Sequence, residues 1–387
     1  MFEFTEEQRM IRETVRKLGR EKLEPRASEV DRSGEFPYDI MKILGDNGIL
    51  QLPLPERYGG IEADTTTLCI VSEELAKFCI TSSLLVCIQG SNVKVISIGG
   101  NENQKDRFFN RLAKGDQITA FALTEPGAGS DVGAMKTKAV RDGDVYLLNG
   151  TKCFISCGEV ADLIPLFVMT DPVKGLKGGI SAFILERGTP GFSIGKTEEK
   201  MGARGVPASE LILEDARIPV ENLLGKEGEG LKIALGAINL TRLTVGSQAI
   251  GIAQGALEFA VKYAKQRIQF GKPIAQFQGM QFKIADMAMQ LEAARSLIYR
   301  VAFMADHDMP GVEGLSSMAK CLASDVSVNV TLEAVKVLGG YGYMRDYPQE
   351  RRMRDAISCL FMEGTGEIQR LNIARFLLKK GLHTHEQ

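Results

Sequence analysis

Apolar positions change their period twice along the chain. Through roughly residues 1–118 they recur at helical spacing. Thr5 and Gln8 form a capping-box pair, and Ile11, Val15 and Leu18 follow on one face, so a helix is predicted from Thr5 to a stop at Pro25. A second helix is expected over 38–44, behind Pro37 at a helix-start position, and the runs at 66–79 and 104–113 have the same character. Between 119 and 225 the pattern shortens to β-favouring runs: TAFALTE, VYLLNGTKCFIS, LIPLFVMT, GISAFILE and ASELILED. Pro126-Gly127, Asp142-Gly143, Gly178-Gly179 and Pro190-Gly191 punctuate them, and the Asp-Gly pair between Val140 and Val145 predicts a hairpin. Strands without intervening helices imply an antiparallel sheet or small barrel. From about 226 the helical period returns. A long, small-residue-rich helix is predicted over 230–267, and a second carries Ile284, Met287, Ala288, Leu291, Ala294 and Ile298 as an apolar stripe. The last helix carries Ile368, Leu371, Ala374 and Leu378 and ends at Lys379-Lys380-Gly381, basic residues followed by glycine. The chain therefore divides into 1–118 (α), 119–225 (β) and 226–387 (α).

Composition narrows the chemistry. With 387 residues, 44% of them hydrophobic, the chain has ample material for a core, and a net charge of −2 gives no basic field for nucleic acid. No apolar run reaches the roughly 18 residues of a membrane helix, and the acidic opening MFEFTEEQ is no secretory signal, so a bacterial cytoplasmic location is expected. Trp is absent and there are 3 His, two of them (His383 and His385) in the last five positions and the third at His307. A His-centred triad or metal site is excluded on that count, and acid–base work falls to carboxylates, Tyr or Lys. The 7 Cys lie mostly in apolar runs, which fits reduced thiols, and the spacing of Cys153 and Cys157 is no metal motif.

Five segments are dense in candidate chemistry. In LTEPGAGSD (123–131), Gly127, Ala128 and Gly129 allow close backbone approach and Thr124 and Ser130 bring hydroxyls; the segment lacks the third glycine of a dinucleotide fingerprint. LNGTKCFISCG (148–158) reads by itself as a plain hairpin. RIQFGKPIAQFQ (267–278) sets Arg267 beside a Gly-Lys-Pro loop, and LGGYGYMRDYPQERRMRD (338–355) joins a Gly-rich turn to a burst of charge, suited either to a pyrophosphate or to a solvated ion-pair surface. In CLFMEGTGEIQR (359–370), Glu363 follows an apolar run and precedes a helix. Two readings stand on the residues alone: a desolvated general base, or a carboxylate compensating the helix N-terminus.

These segments, with KMGARG (200–205), in this order and spacing, resemble the acyl-CoA dehydrogenase family over essentially the whole chain. The resemblance implies a helical N-terminal domain, a central antiparallel β-barrel or sandwich and a C-terminal four-helix bundle enclosing FAD and an acyl-CoA thioester. It also assigns roles. Phe121, Leu123, Thr124, Gly129 and Ser130 would line the flavin and its pyrophosphate, Ser130 touching CoA as well. Phe154, standing where Trp is common, with Ile155 and Ser156 would cover the flavin, Ser156 near N5. Arg267, Gln269, Phe277 and Gln278 would grip the adenosine half, often across a subunit boundary, completed by the turn from Lys336 (usually Gln) to Gly339 and Gly340. Asn239 (usually Asp), Arg242 and Gly364 would contact the thioester, and Thr365 and Glu367 (usually Gln) the flavin.

Glu363 matches the family's base; the alternative base position found in some relatives is Thr241 here. The implied reaction is α,β-dehydrogenation to the 2-enoyl-CoA. Glu363 takes the α-proton, flavin N5 takes the β-hydride, and the electrons pass to electron-transferring flavoprotein. A homotetramer, built as a dimer of dimers, is expected. The 86–100 segment matches the helix lining the acyl pocket and offers Gln89, Asn92 and Lys94. Lys94 would favour a functionalised acyl tail if it faced the pocket. Met362 replaces a common Tyr, opening branched or alicyclic acyl groups beside short straight chains. Thr81-Ser82-Ser83 stands where glutaryl-CoA enzymes carry Arg, against decarboxylation. Rival readings are the reverse enoyl-CoA reductase, an oxidase (which this length disfavours), a carrier-protein thioester in place of CoA, and a non-catalytic helical binding or assembly protein on the same scaffold.

Overall fold

The computed structural model describes residues 3–380; Gly381, His383 and His385 lie outside them. The capping box forms as read: Thr5 Oγ1 accepts from the Gln8 N–H, and Gln8 Oε1 from the Thr5 N–H, both at 3.1 Å, opening α1 (Glu6–Leu18). The helix does not stop at Pro25. It widens into a π-helical turn (Gly19–Leu23) and continues as α2 (Glu24–Ser33), with Pro25 in the first turn, where its missing N–H costs no hydrogen bond. Four helices follow: α3 (Tyr38–Asp46), α4 (Thr65–Phe78), α5 (Ile80–Gly99) and α6 (Glu102–Leu112).

The central sheet contains β1 (Lys138–Asp142), β2 (Val145–Ser156), β3 (Leu163–Met169), β4 (Ile180–Glu186), β5 (Phe192–Thr197), β6 (Ala208–Pro219) and β7 (Leu223–Leu224), in the order β5-β6-β2-β1-β3-β4-β7. Asp142 pairs with Val145 across a two-residue turn with Gly143 at φ 60°, the expected hairpin. The sheet is mixed where antiparallel pairing was expected, because β1 meets β3 in parallel at Lys138 and Met169. TAFALTE is no ladder strand. It touches β3 through isolated parallel bridges, Thr119 to Leu163 and Ala122 to Leu166. The interruption falls at Pro165, whose carbonyl accepts from the Ala122 N–H at 2.9 Å but which has no N–H to return.

The chain then returns to helices: α7 (Gly230–Gln266), a hairpin of β8 (Ile268–Gln269) and β9 (Lys272–Pro273), α8 (Gln278–Asp306), α9 (Val312–Leu338), α10 (Gln349–Ser358) and α11 (Gly366–Lys380). The long helix α7 runs against α4, α5, α8 and α9. At Gly251 it approaches α4 so closely that a Cβ would stand 2.2 Å from the Glu73 carbonyl oxygen. Helices from both ends of the chain thus share one apolar core, with Ile70 and Leu75 beside Leu243, Ile250, Leu291 and Val330. A second core joins Ile96, Phe108 and Ala237 to sheet residues Phe167 and Ala182, and a third, with Leu148, Ile164, Phe183 and Leu213, belongs to the sheet. No helix of the described residues is long and apolar enough to cross a membrane.

Candidate active site

The turn between α10 and α11 carries two consecutive residues with left-handed backbone, Glu363 at φ 54° and Gly364 at φ 100°. Glycine accepts that conformation freely and glutamate does not, so Glu363 is held there by its surroundings. The surroundings act on the turn's carbonyls. Ser324 Oγ donates to Cys359 O at 2.9 Å, and Lys320 Nζ to Gly364 O at 2.9 Å and Leu360 O at 3.3 Å. Gln369 Nε2 donates to Glu363 O at 2.9 Å and Gly364 O at 3.2 Å. The start of α11 is served by other groups: Thr365 Oγ1 accepts from the Ile368 N–H at 3.3 Å, and exposed Glu367 occupies the first helical turn. The backbone N–H of Glu367 and the Thr365 hydroxyl hold its carboxyl below the usual range. Compensation of the helix end therefore rests with Thr365 and Glu367, and Glu363 is left for other work.

Glu363 faces α7. Burial pushes its carboxyl above the ordinary range, against the opposing pull of the Arg242 charge, the neighbouring Thr241 hydroxyl and the charge of Lys320. Arg242 is itself buried and its guanidinium lies below its usual pKa for that reason; one nitrogen donates to Asn239 Oδ1 at 2.7 Å, and Nε has no partner among the described residues. From α5, the Cys87 thiol approaches Thr244 Oγ1 at 3.2 Å, and burial, then the Glu363 charge, push it up to about 12. Two residues on, Gln89 is buried with Oε1 taking the Thr119 hydroxyl at 3.2 Å and Nε2 unpartnered; Asn92, on the same face, has neither amide atom paired. Lys94 is a correction: it is exposed, about 140° round the helix from Gln89, and does not join this polar face.

A second group forms on the sheet. Glu125 turns inward from the LTEPGAGSD loop to the buried Lys152 ammonium at 2.8 Å, and accepts from the N–H groups of Lys136 and Thr137 at 2.7 and 3.0 Å. Lys152 also donates to Leu123 O at 3.0 Å, and the Cys153 N–H to Thr124 O at 3.0 Å. These contacts seat the loop on β2, leaving Phe121, Leu123 and Thr124 half-buried and Gly129 and Ser130 exposed. Phe121 packs against Phe167 at 4.9 Å. Beside the loop, β2 slips register between Lys152 and Ile155. Phe154 sits in that irregularity at φ 57° with its ring 63% exposed, while Ile155 is buried and Ser156 half-buried. The bulge turns an aromatic ring outward from a strand whose other residues are buried or half-buried.

A third group joins α7, the β8–β9 hairpin and the end of α9. The Arg267 guanidinium lies 5.4 Å over the Tyr341 ring, tying the hairpin root to the Gly339-Gly340 turn. Gln269 and Gln278 are exposed, Phe277 is half-buried with Lys272 4.5 Å above its ring, and Lys336 pairs with Glu333 at 2.6 Å. Phe270, at the hairpin tip, is 94% exposed with φ 51°.

Four glycines test whether a large planar ligand fits. A Cβ added at Gly127, Gly129, Gly339 or Gly340 would meet nothing within 4 Å, and only Gly339 of these has a left-handed φ. Neither packing nor, at three of them, backbone conformation requires glycine. A Cβ there would occupy open space beside the loop and the turn, which is what a cofactor pressed on the backbone needs. Together with the outward Phe154 ring and the Arg267 cation, the residues fit FAD. Four residues that hold these sites escaped the sequence reading: Glu125, Lys152, Lys320 and Gln369. A signal existed for the lysines, each a single cation in an otherwise apolar or small-residue run, TKCFIS and SSMAKCLAS.

The comparisons with known proteins agree with this geometry. Family models described as the acyl-CoA dehydrogenase N-terminal, middle and C-terminal domains match residues 5–116, 120–216 and 228–378. The chain is 47% identical over 381 residues to an acryloyl-CoA reductase (NADH) of Anaerotignum propionicum, covering 98% of this chain and 96% of that protein. Among solved structures it is similar to butyryl-CoA dehydrogenase from Megasphaera elsdenii, with TM-score 0.94 and 42% identity over 98% of this chain and 100% of that one. It is equally similar to a chain in a structure described as the electron transferring flavoprotein of Acidaminococcus fermentans, with TM-score 0.94, 43% identity and the same coverage. The chain belongs to the acyl-CoA dehydrogenase family of FAD-dependent oxidoreductases.

Proposed function

We propose that the protein dehydrogenates an acyl-CoA thioester between its α and β carbons, with Glu363 as the base that removes the α-proton. The observation carrying this is the carboxyl of Glu363: held in a left-handed turn, not engaged in capping the following helix, and raised above the ordinary carboxylate range by burial. FAD, when bound, supplies the acceptor for the hydride that leaves the β-carbon. The protein's own part is to hold and desolvate. Glu363 takes the proton at its carboxylate, and Arg242 stands beside it as a buried cation for the developing negative charge or for the anionic thioester. The exposed Gly129 and Ser130 backbone, with Phe154, Ile155 and Ser156, forms the wall against which the cofactor is held. Arg267, Gln269, Phe277 and Gln278, with Lys336, Gly339 and Gly340, hold its distal half. Electron-transferring flavoprotein is the partner that takes the reducing equivalents, and exposed Ile268 and Phe270 belong to a subunit contact within a homotetramer. A second direction, reduction of an enoyl-CoA, is favoured by the acryloyl-CoA reductase relative.

Anaerobic bleaching of the bound flavin by straight, branched, alicyclic and dicarboxylic acyl-CoA thioesters tests the reading and identifies the acyl group. Glu363→Gln is expected to keep FAD and bind thioesters while losing bleaching by about 10³-fold or more. Normal bleaching by that variant would remove Glu363 from the mechanism. Bleaching by no saturated thioester, with reoxidation of the reduced protein by enoyl-CoA, would assign the reverse direction.

A further inference from the structure

Two lysines among the described residues are wholly buried, and they differ in one respect. Lys152 meets the Glu125 carboxylate at 2.8 Å. Lys320, on α9, meets only carbonyl oxygens, Gly364 O at 2.9 Å and Leu360 O at 3.3 Å, and no carboxylate among the described residues lies within ion-pair distance of it. Burying an ammonium without a carboxylate is costly, and satisfying two carbonyls does not require a charge; a neutral amide would serve. Gln369 does that service on the same turn from the other side. The charge of Lys320 reaches the carboxyls on either side of Gly364 and Thr365, Glu363 in the turn and Glu367 at the start of α11, and of the two only Glu363 is buried against α7.

We propose that Lys320 is a positioning residue for Glu363: its hydrogen bonds to Leu360 and Gly364 lock the turn on both sides of the base, and its charge favours the ionised carboxylate that accepts the proton. The proposal rests on Glu363 being the base. Its geometry is a bracket. Ser324, one helical turn beyond Lys320, takes Cys359 O at 2.9 Å, so α9 holds the turn at 359, 360 and 364 while α11 holds it at 363 and 364. Gly246 lets α7 pass close to α8 and α9 here, a Cβ at that position standing 2.3 Å from Ile298 Cδ1 and 3.5 Å from Cα of Lys320. The ionisable groups facing this carboxyl and ammonium are Arg242 from α7, Cys87 from α5, Cys321 from α9, Cys359 from the turn and Glu367 from the start of α11. The three thiols stay neutral because burial raises each of them, which leaves Lys320 and Arg242 as the two charges that pull the Glu363 carboxyl down.

The test uses the full-length FAD-loaded protein, with anaerobic stopped-flow bleaching by the best acyl-CoA of the panel measured as a function of pH. Lys320→Met removes charge and donors; Lys320→Gln keeps a donor and removes only the charge. Both are expected to move the acid limb of the limiting rate upward by roughly one pH unit, because loss of a nearby cation leaves Glu363 protonated to higher pH. The limiting rate above that limb should fall about tenfold in Lys320→Met and recover toward wild type in Lys320→Gln. If Lys320→Met does not fold, the acid limb of Lys320→Gln decides alone. An acid limb that stays at its wild-type position in whichever variants fold would overturn the proposal, whatever happens to thermal stability. Glu363→Gln, run in parallel, separates the failures. Normal bleaching by that variant rejects the base assignment, whereas a silent Glu363→Gln beside an unmoved Lys320 limb rejects only the role of Lys320.

Discussion

The left-handed glutamate in the turn between α10 and α11 is a strained residue that the chain keeps because α9 and α11 place four side-chain donor contacts on carbonyls from Leu360 to Gly364. The glycines of the proposed cofactor wall are the reverse case, free of strain and of neighbours. This makes Gly129 a discriminating position. Gly129→Ala should leave apoprotein stability within about 0.5 kcal/mol of wild type, since the new methyl touches nothing in the chain and the backbone is not left-handed. FAD affinity should fall by at least roughly tenfold, an interaction loss of about 1.4 kcal/mol. Thermal melts of the apoprotein and a fluorescence titration with FAD measure the two quantities; unchanged affinity would place the cofactor away from this loop. At this scale the sequence singled out Glu363 and the glycine loop as candidates, because both sit in distinctive local strings. It did not show Lys320, Gln369, Glu125 or Lys152, whose work is to hold another segment's backbone across a packed interface.

Among elements, local signals read well where they are local in cause. The Thr5 capping box and the Gly143 hairpin form as their residues dictate. They fail where a neighbour overrides them. Pro25 was legible as a stop, yet the π-helical turn before it, packed at Gly19 against the Phe78 ring, resets the helix so that proline falls in a tolerated position. TAFALTE has a strand's composition but lies against a proline that cannot complete the ladder, a fact written in another segment. The β8–β9 hairpin is the element proposed above as a subunit contact. Ile268 on β8 and Phe270 at the tip are 58% and 94% exposed, and the two-residue strands bury little themselves. Phe270→Glu is therefore expected to leave far-UV circular dichroism unchanged while lowering the oligomer mass and the FAD content together. Light scattering after gel filtration checks the mass. A tetramer that survives with full FAD would show that the hairpin is not a subunit contact.

At the scale of the whole molecule, the segments are fastened by pairs far apart in sequence, which no periodicity announces. The Asp306 carboxylate accepts from the N–H groups of Thr65 and Thr66 at 2.6 and 2.9 Å, pinning α4 to the end of α8. The KMGARG loop is the other joint. Arg354 of α10 reaches Asp31 of α2 at 2.6 Å and Met201 O at 2.8 Å, Arg204 donates to Asp31 O at 2.7 Å, and Asp355 accepts from the Ala203 N–H at 2.7 Å. Asp355 is 5% exposed, and burial raises its carboxyl to about 6 against the pull of that N–H and of Arg351 and Arg354. Because the folded-state pKa lies above the ordinary 3.8, the folded protein binds more protons than the unfolded chain between about pH 4 and 6. This group therefore lowers stability as pH rises through that window, and its cost is complete above about 6. Asp355→Asn keeps an acceptor for Ala203 and removes the buried charge. It should melt higher than wild type at pH 8, by a gain on the order of 1–3 kcal/mol, and the gain should shrink toward zero near pH 4. Thermal denaturation of both proteins across this range measures the difference. A variant that is less stable than wild type at pH 8 would show that the Asp355 charge is compensated by its arginine neighbours and holds the joint closed.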